Sequence, residues 1–228
     1  LGMTFIEYIR ARRMGLTMKK IRQGDPVIDA QLASGYESSS GFRDAFSRIM
    51  GTAPTKLGVK SILKASWLDT KLGPMIAIAS EVALYLLEFV DRRGLEREVE
   101  RLRERTKSAI IPGKTPPISS IEKELVFYFD GKLKEFHTPL FFLGSPFQKQ
   151  VWEELKKIPF GETRSYLDIA KTIKRPSSFR AVAQANGANQ LSIVIPCHRV
   201  INTNGELGGY GGGITRKQWL LNLEKTNV

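Results

Sequence analysis

A chain of 228 residues has room for one large domain or two to three small ones, and 42% hydrophobic with 25% charged residues describes a globular chain rather than a disordered one. Lys and Arg number 35 against 23 Asp and Glu, a formal charge of +12 that favours a polyanion, nucleic acid first, over the blander readings of solubility or an anionic membrane surface. One cysteine and two histidines, His137 and His198, exclude an internal disulfide and a cysteine-built zinc site and argue against a catalytic metal, so no metal and no cofactor is expected.

Residues 1 to about 58 read as helical. Phe5, Ile6 and Ile9 recur at helical spacing, and the basic run Arg10, Arg12, Arg13, Lys19, Lys20 and Arg22 follows. Gly24-Asp25-Pro26 starts another helix with Val27, Ile28, Leu32 and Ala33 as its inner face. After a turn at Gly35-Tyr36-Glu37-Ser38, periodicity resumes at Phe42, Ala45, Phe46 and Ile49 and ends at Gly51 and Pro54. From Lys60 the period changes: Ile62 to Leu68, Met75 to Ser80 and Ala83 to Val90 predict strands. A charged helix over about 94 to 107 turns Leu95, Val99 and Leu102 to one side. Ile111 to Pro117 reads as a connector, and Ser119 with Glu122 as the capping box of a helix ending at Asp130-Gly131. In the last third, Ser145-Pro146 is a cap with proline at the first helical position. Ser165 with Asp168, then Ser177, then Thr215 start three more helices. Between them lie an apolar run, Leu191 to Ile195, and a glycine-dense loop, Gly205 to Gly213.

The chemistry concentrates in Ile195-Pro196-Cys197-His198-Arg199-Val200. A cysteine attacks as its thiolate, and a nearby imidazole can take the proton. Adjacent residues do not generally face each other, so His198 is expected to act through a water. Taken alone, a cysteine beside an apolar run is more often a small core residue than a nucleophile.

From about Ser145 to Glu224 the sequence resembles the O6-alkylguanine-DNA alkyltransferase family. The resemblance is carried by Pro196 to Val200, by Ser165-Tyr166-Leu167-Asp168-Ile169-Ala170, by Arg180-Ala181-Val182-Ala183, and by Asn189, Tyr210, Gly212 and Glu224 in one order. It implies direct-reversal repair, in which the alkyl group of O6-alkylguanine (or O4-alkylthymine) in duplex DNA passes once and irreversibly to Cys197. It also implies activation of Cys197 through water, His198 and Glu224, with Asn189 ordering the turn and Tyr166 donating to the base. The target atom lies inside the base stack, so the nucleotide must be flipped out. The resemblance assigns Arg180 to fill the vacated stack, Ala181 and Ala183 to the helix approaching DNA, and Val200, Tyr210, Gly211 and Gly212 to the base pocket. Gln190 departs from a proline that many members carry there, with a small effect on loop stiffness expected.

Residues 27 to 54 resemble the second helix-turn-helix of AraC-type regulators, on Gly35 to Ser38, Ser40 to Phe46, Gly51 and Pro54. An AraC-type module before an alkyltransferase is similar to the Ada type of adaptive-response regulator. The cysteine cluster of that type is missing here, and so is its first helix-turn-helix, which puts regulated transcription in doubt. Ser39, Ser40 and Arg43 are the candidates for reading DNA, with capping or solvent exposure as the alternative. No signal peptide opens the chain, and Leu1 stands first rather than Met, so the sequence is taken as a fragment or as one with an unusual start.

The expected fold class is α+β in three parts. These are a partial AraC-type helix-turn-helix over 1–58, a ribonuclease-H-like α/β scaffold over 59–143, and an α-rich, winged-helix-like catalytic domain over 144–228. The expected partner is double-stranded DNA containing alkylated guanine. A monomer in the cytoplasm of a bacterium or archaeon, associated with the nucleoid and not with membrane, completes the expectation. The runner-up is a transcription regulator that retains its repair domain.

Overall fold

A computed structural model of the chain describes residues 13, 16, 17, 20, 25, 27–35 and 61–228. The helices expected over 1–24 and 36–58, with Ser39, Ser40 and Arg43, lie outside or almost outside the described residues. In the front segment, helix α1 (Val27–Ala33) buries Ala30, Gln31 and Ser34, whereas Leu32 and Ala33 are exposed. That corrects Leu32 and Ala33 as members of the inner stripe read from sequence. Ser34 Oγ donates to Ala30 O at 2.7 Å, which satisfies the hydroxyl and lets a polar residue take the inner position.

The chain divides into two compact units, one of 2–122 with 138–140, the other of 123–137 with 141–228. The first is built on a sheet of strands β1 (Ser61–Leu68), β2 (Met75–Ala79), β3 (Leu84–Phe89) and β4 (Ser108–Pro112), in the order β3-β2-β1-β4. β1, β2 and β3 form an antiparallel meander, and β4 lies parallel to β1 with Ser61 opposite Ser108. All five residues of β2 are buried, so this strand is covered on both faces. Helix α2 (Leu95–Thr106) makes the crossover that a parallel return requires, with Leu95, Val99 and Leu102 inward. It closes at Lys107, whose φ of +52° is a left-handed cap without glycine.

Two expectations are corrected here. Ser108–Pro112 pairs as a strand, although too short an apolar run for its period to distinguish it from a connector. Helix α3 (Pro116–Phe129) begins before Ser119, where Thr115 Oγ1 accepts from the Ile118 N–H at 3.4 Å. Glu122 is not part of a capping box and instead pairs with Lys114.

The second unit is mainly helical: the end of α3, then α4 (Pro146–Lys156), α5 (Tyr166–Thr172), α6 (Phe179–Gly187) and α7 (Ile214–Thr226). The Ser145 and Ser165 capping boxes form with Gln148 and Asp168. The start expected at Ser177 is a 3-10 turn (Pro176–Ser178) leading into α6, and α7 begins at Ile214 behind Gly213, at φ +91°. Trp152 Nε1 on α4 donates to Ala185 O on α6 at 2.8 Å, tying those helices together. Among the described residues no helix is long and apolar enough to cross a membrane.

Candidate active site

The segment that carries Cys197 is irregular, and one side chain organises it. Asn189 Oδ1 accepts from the Leu191 N–H at 2.9 Å, while its Nδ2 donates to Ile195 O at 3.0 Å and to Cys197 Sγ at 3.1 Å. Between these anchors Ile193 sits fully buried at φ +73°. A β-branched residue in the left-handed region stores on the order of 1–3 kcal/mol of strain, which the surrounding bonds must hold. The chain then enters a 3-10 turn, Cys197–Arg199. In so tight a turn successive side chains fan apart by about 120°. Cys197 can therefore face one way while His198 and Arg199 converge from two sides on a single carboxylate.

That carboxylate is Glu224, fully buried on α7 one turn beyond the buried Leu220. His198 Nε2 lies 2.8 Å from Oε1. Arg199 donates through Nε to Oε2 at 2.8 Å and through Nη2 to Oε1 at 2.9 Å, a bidentate pair. The Gly161 N–H reaches Oε2 at 3.3 Å, and the Tyr128 hydroxyl donates to Oε1 at 2.6 Å. Burial alone would raise the Glu224 pKa. The hydrogen bonds and charges of His198 and Arg199 reverse this and hold it far below the usual carboxylate range.

His198 is also fully buried, and burial pushes its pKa below 6.5 against the opposing pull of Glu224. Because Glu224 is an acceptor, Nε2 carries the imidazole hydrogen, which leaves Nδ1 with a free lone pair. Nδ1 is buried and has no protein partner among the described residues. A neutral imidazole with this tautomer can accept a proton at Nδ1.

Cys197 is 4% exposed. Besides the Asn189 donor it feels the Lys217 ammonium. This lysine is fully buried on α7, donating to Val200 O at 2.5 Å and Gly208 O at 3.1 Å. Burial lowers the Lys217 pKa to about 8, opposed by the negative charge that Cys197 can carry. An amide donor and a cation both favour the thiolate.

Strands β5 (Arg164–Ser165) and β6 (Val200–Ile201) pair in parallel, Arg164 opposite Val200. That pairing brings the start of α5, and Tyr166 with it, to the chain leaving the cysteine turn. Tyr166 is half-buried, and burial followed by the Cys197 charge raises its pKa, so it remains a protonated donor. A Cβ at position 208 would stand 2.7 Å from the Tyr166 hydroxyl, so a larger residue than Gly208 would have to push that side chain aside. The Tyr210 ring lies edge-on to His198 with centroids 6.4 Å apart. Val200 is buried and Gly211 exposed. Gly212 is buried and accepts from Arg216 at 3.0 Å.

Helices α5 and α6 pack together, joined through Lys174 at φ +59° and the 3-10 turn. α6 buries Val182, Ala185 and Asn186. It presents Arg180, Ala181, Gln184 and Gly187 outward, with Ala183 half-buried. The structure thus groups Cys197, His198, Glu224, Asn189, Tyr166 and Tyr210 around one centre, while Arg180 and Ala181 stand on the exposed face of α6. Sequence reasoning assigned no role to Arg199, Lys217 or Tyr128. Arg199 stood inside the Pro-Cys-His-Arg-Val run. Lys217 lies two helical turns before Glu224, so the spacing of α7 could have found it. Nothing local to Tyr128 signals its role, because its partner is 96 residues away.

Residues 146–226 match the family model described as the DNA-binding domain of 6-O-methylguanine DNA methyltransferase, and residues 1–58 match a helix-turn-helix domain. Two relatives are each called methylated-DNA–protein-cysteine methyltransferase. That of Mycolicibacterium paratuberculosis is 54% identical over 45% of this chain and 62% of its own length. That of Mycobacterium bovis is 43% identical over 71% of this chain and 92% of its own. Among solved structures, Mycobacterium tuberculosis OGT in complex with DNA aligns with a TM-score of 0.63 and 39% identity, covering 72% of this chain and 94% of that one.

Proposed function

The chain belongs to the methylated-DNA–protein-cysteine methyltransferase family, and from that premise we propose that it repairs duplex DNA by direct reversal, with Cys197 as the single-use acceptor. The substrate is O6-alkylguanine, with O4-alkylthymine as a second candidate. The observation that carries this reading is that Cys197 Sγ, 3.1 Å from the Asn189 amide, leads directly into His198 and Arg199, which both meet Glu224 at 2.8–2.9 Å.

The flipped base enters beside Cys197, lined by Val200, Tyr210, Gly211 and Gly212. The thiol proton passes through a bridging water to His198 Nδ1, and the imidazolium is stabilised by Glu224, whose charge Arg199 has already balanced. The thiolate attacks the alkyl carbon. The S–C bond forms, the C–O6 bond breaks, and its electron pair stays on the purine. Tyr166 gives its proton to the departing base and recovers one from solvent, to which His198 in turn releases its own. The product thioether does not hydrolyse, so each molecule acts once. Arg180 fills the vacated stack, and the small side chains of Ala181 and Ala183 let α6 approach the backbone of the duplex.

The layout proposed is a helix-turn-helix segment over 1–58, a scaffold over 59–143 and a catalytic DNA-binding part over 144–228, working in the cytoplasm at the nucleoid. A second reading, a transcription regulator that retains repair, is favoured by the helix-turn-helix match over 1–58. In that case Ser39, Ser40 and Arg43 would contact DNA.

Incubation with a duplex carrying O6-methylguanine labelled on the methyl should add one methyl to the tryptic peptide containing Cys197, with no turnover. Label released to solvent would identify a hydrolase, and binding without transfer a lesion sensor; either would overturn the proposal. Cys197→Ala should abolish transfer while duplex binding persists, and that binding should weaken steeply with salt.

A further inference from the structure

We infer, resting on the alkyl-transfer reading, that Tyr128 is a positioning residue of the reaction, its hydroxyl tempering Glu224 so that His198 stays a neutral proton acceptor. Tyr128 belongs to α3, in the part expected to serve only as scaffold, yet residues 123–137 fall in the same compact unit as Cys197. It is fully buried, and its Oη donates to Glu224 Oε1 at 2.6 Å. Phe136, with centroids 5.3 Å apart, and Phe160, edge-on at 6.1 Å, hold the ring and so aim the hydroxyl.

Oε1 is also the oxygen that His198 meets. Burial, then the charge and hydrogen bond of Glu224, raise the Tyr128 pKa well above 10, against the pull of Arg199. Tyr128 therefore stays neutral and, towards a carboxylate, acts as the donor. A donor on Oε1 shares the lone pairs that would otherwise stabilise an imidazolium. Without it, Glu224 pulls harder on the His198 proton, and the imidazole fills at a higher pH.

The other groups acting on His198 are Arg199 and Lys217, which oppose its protonation, and Cys197 and Tyr210 beside it. Tyr128→Phe leaves all of them in place and keeps the ring. Filling a core would be served equally well by phenylalanine, so a purely structural Tyr128 predicts no change in titration.

Two readouts on the full chain test this: the single-turnover transfer rate against pH with an O6-methylguanine duplex, and the His198 imidazole titration followed by NMR. In Tyr128→Phe, both the acid limb of the rate profile and the His198 titration should move up by about half a unit or more. Above that limb the rate should stay within about threefold of wild type, a loss small on the scale of general-base catalysis. Incorporating 3-fluorotyrosine at position 128, a stronger donor of nearly the same shape, should move both the opposite way. This direction alone decides if the phenylalanine variant does not fold. Unchanged titrations, or shifts of one sign in both variants, would overturn the inference. If wild type transfers nothing, the alkyl-transfer reading falls, while the NMR titration still tests the Tyr128–His198 coupling.

Discussion

Each compact unit buries a carboxylate against an arginine, but surrounds it differently. In the sheet unit Glu88 of β3 is fully buried against Arg92, which also reaches Glu98 at 3.0 Å. Burial raises the Glu98 pKa, and Arg92 and Arg101 do not overcome it. In the catalytic unit Glu224, as buried as Glu88, receives bonds on its two oxygens from Tyr128, His198, Gly161 and both forks of Arg199, and its pKa falls. At Glu224 the donors and charges aimed at the carboxylate reverse what burial alone would do. One cluster braces a strand to a helix. The other holds a fixed, already balanced charge beside a neutral imidazole, which can then take a proton briefly.

The widest separation between the clusters should come from matched substitutions. Glu224→Gln should slow single-turnover transfer by on the order of 10²–10⁴, the usual worth of general acid–base assistance. Glu88→Gln should leave the transfer rate of folded protein unchanged while lowering its unfolding midpoint. Equal rate losses would erase the distinction. Arg199→Met should destabilise the protein by about 3–5 kcal/mol, the usual effect of leaving a buried charge without its partner. It should also move the acid limb of the rate profile upward, since Arg199 opposes protonation of His198. Asn189→Ala, which removes donors to Ile195 O and Cys197 Sγ, should cost about 1–3 kcal/mol in denaturant unfolding. It should also raise the thiol pKa, read from thiolate absorbance.

Stability against pH sharpens the same contrast. Native His198 resists protonation, so below pH 6.5 the unfolded chain binds the proton first and stability declines as pH falls towards the lowered native value. The contribution of Glu224 is complete above pH 4.5 and is lost as pH falls below it towards its depressed native value. Glu224→Gln should remove that second decline from a series of thermal melts. The smallest effect belongs to the sheet unit. Lys107→Gly, at φ +52°, should raise stability by about 1 kcal/mol without touching transfer, because glycine carries no left-handed penalty.

Where a signal is short-range and strong, it was legible. The meander strands, the inner stripe of α2, and the Ser145 and Ser165 caps depend on period and on hydrogen bonds spanning three residues. β4 was missed because a five-residue apolar run acquires its meaning only from pairing with β1, and the start of α3 because two prolines obscured the cap before them. The stripe of α1 was misread because polar Gln31 and Ser34 occupy its buried side.

The order of residue types along the chain was enough to single out Cys197, His198, Asn189 and Glu224 and to state the family and chemistry they resemble. Sequence could not state how the charge of Glu224 is balanced. That balance depends on Arg199 turning back from the cysteine turn, on Lys217 reaching two loop carbonyls, and on Tyr128 arriving from a distant helix. Each is a through-space relation in a buried interior, where a partner's distance sets its worth and chain separation carries no information about that distance.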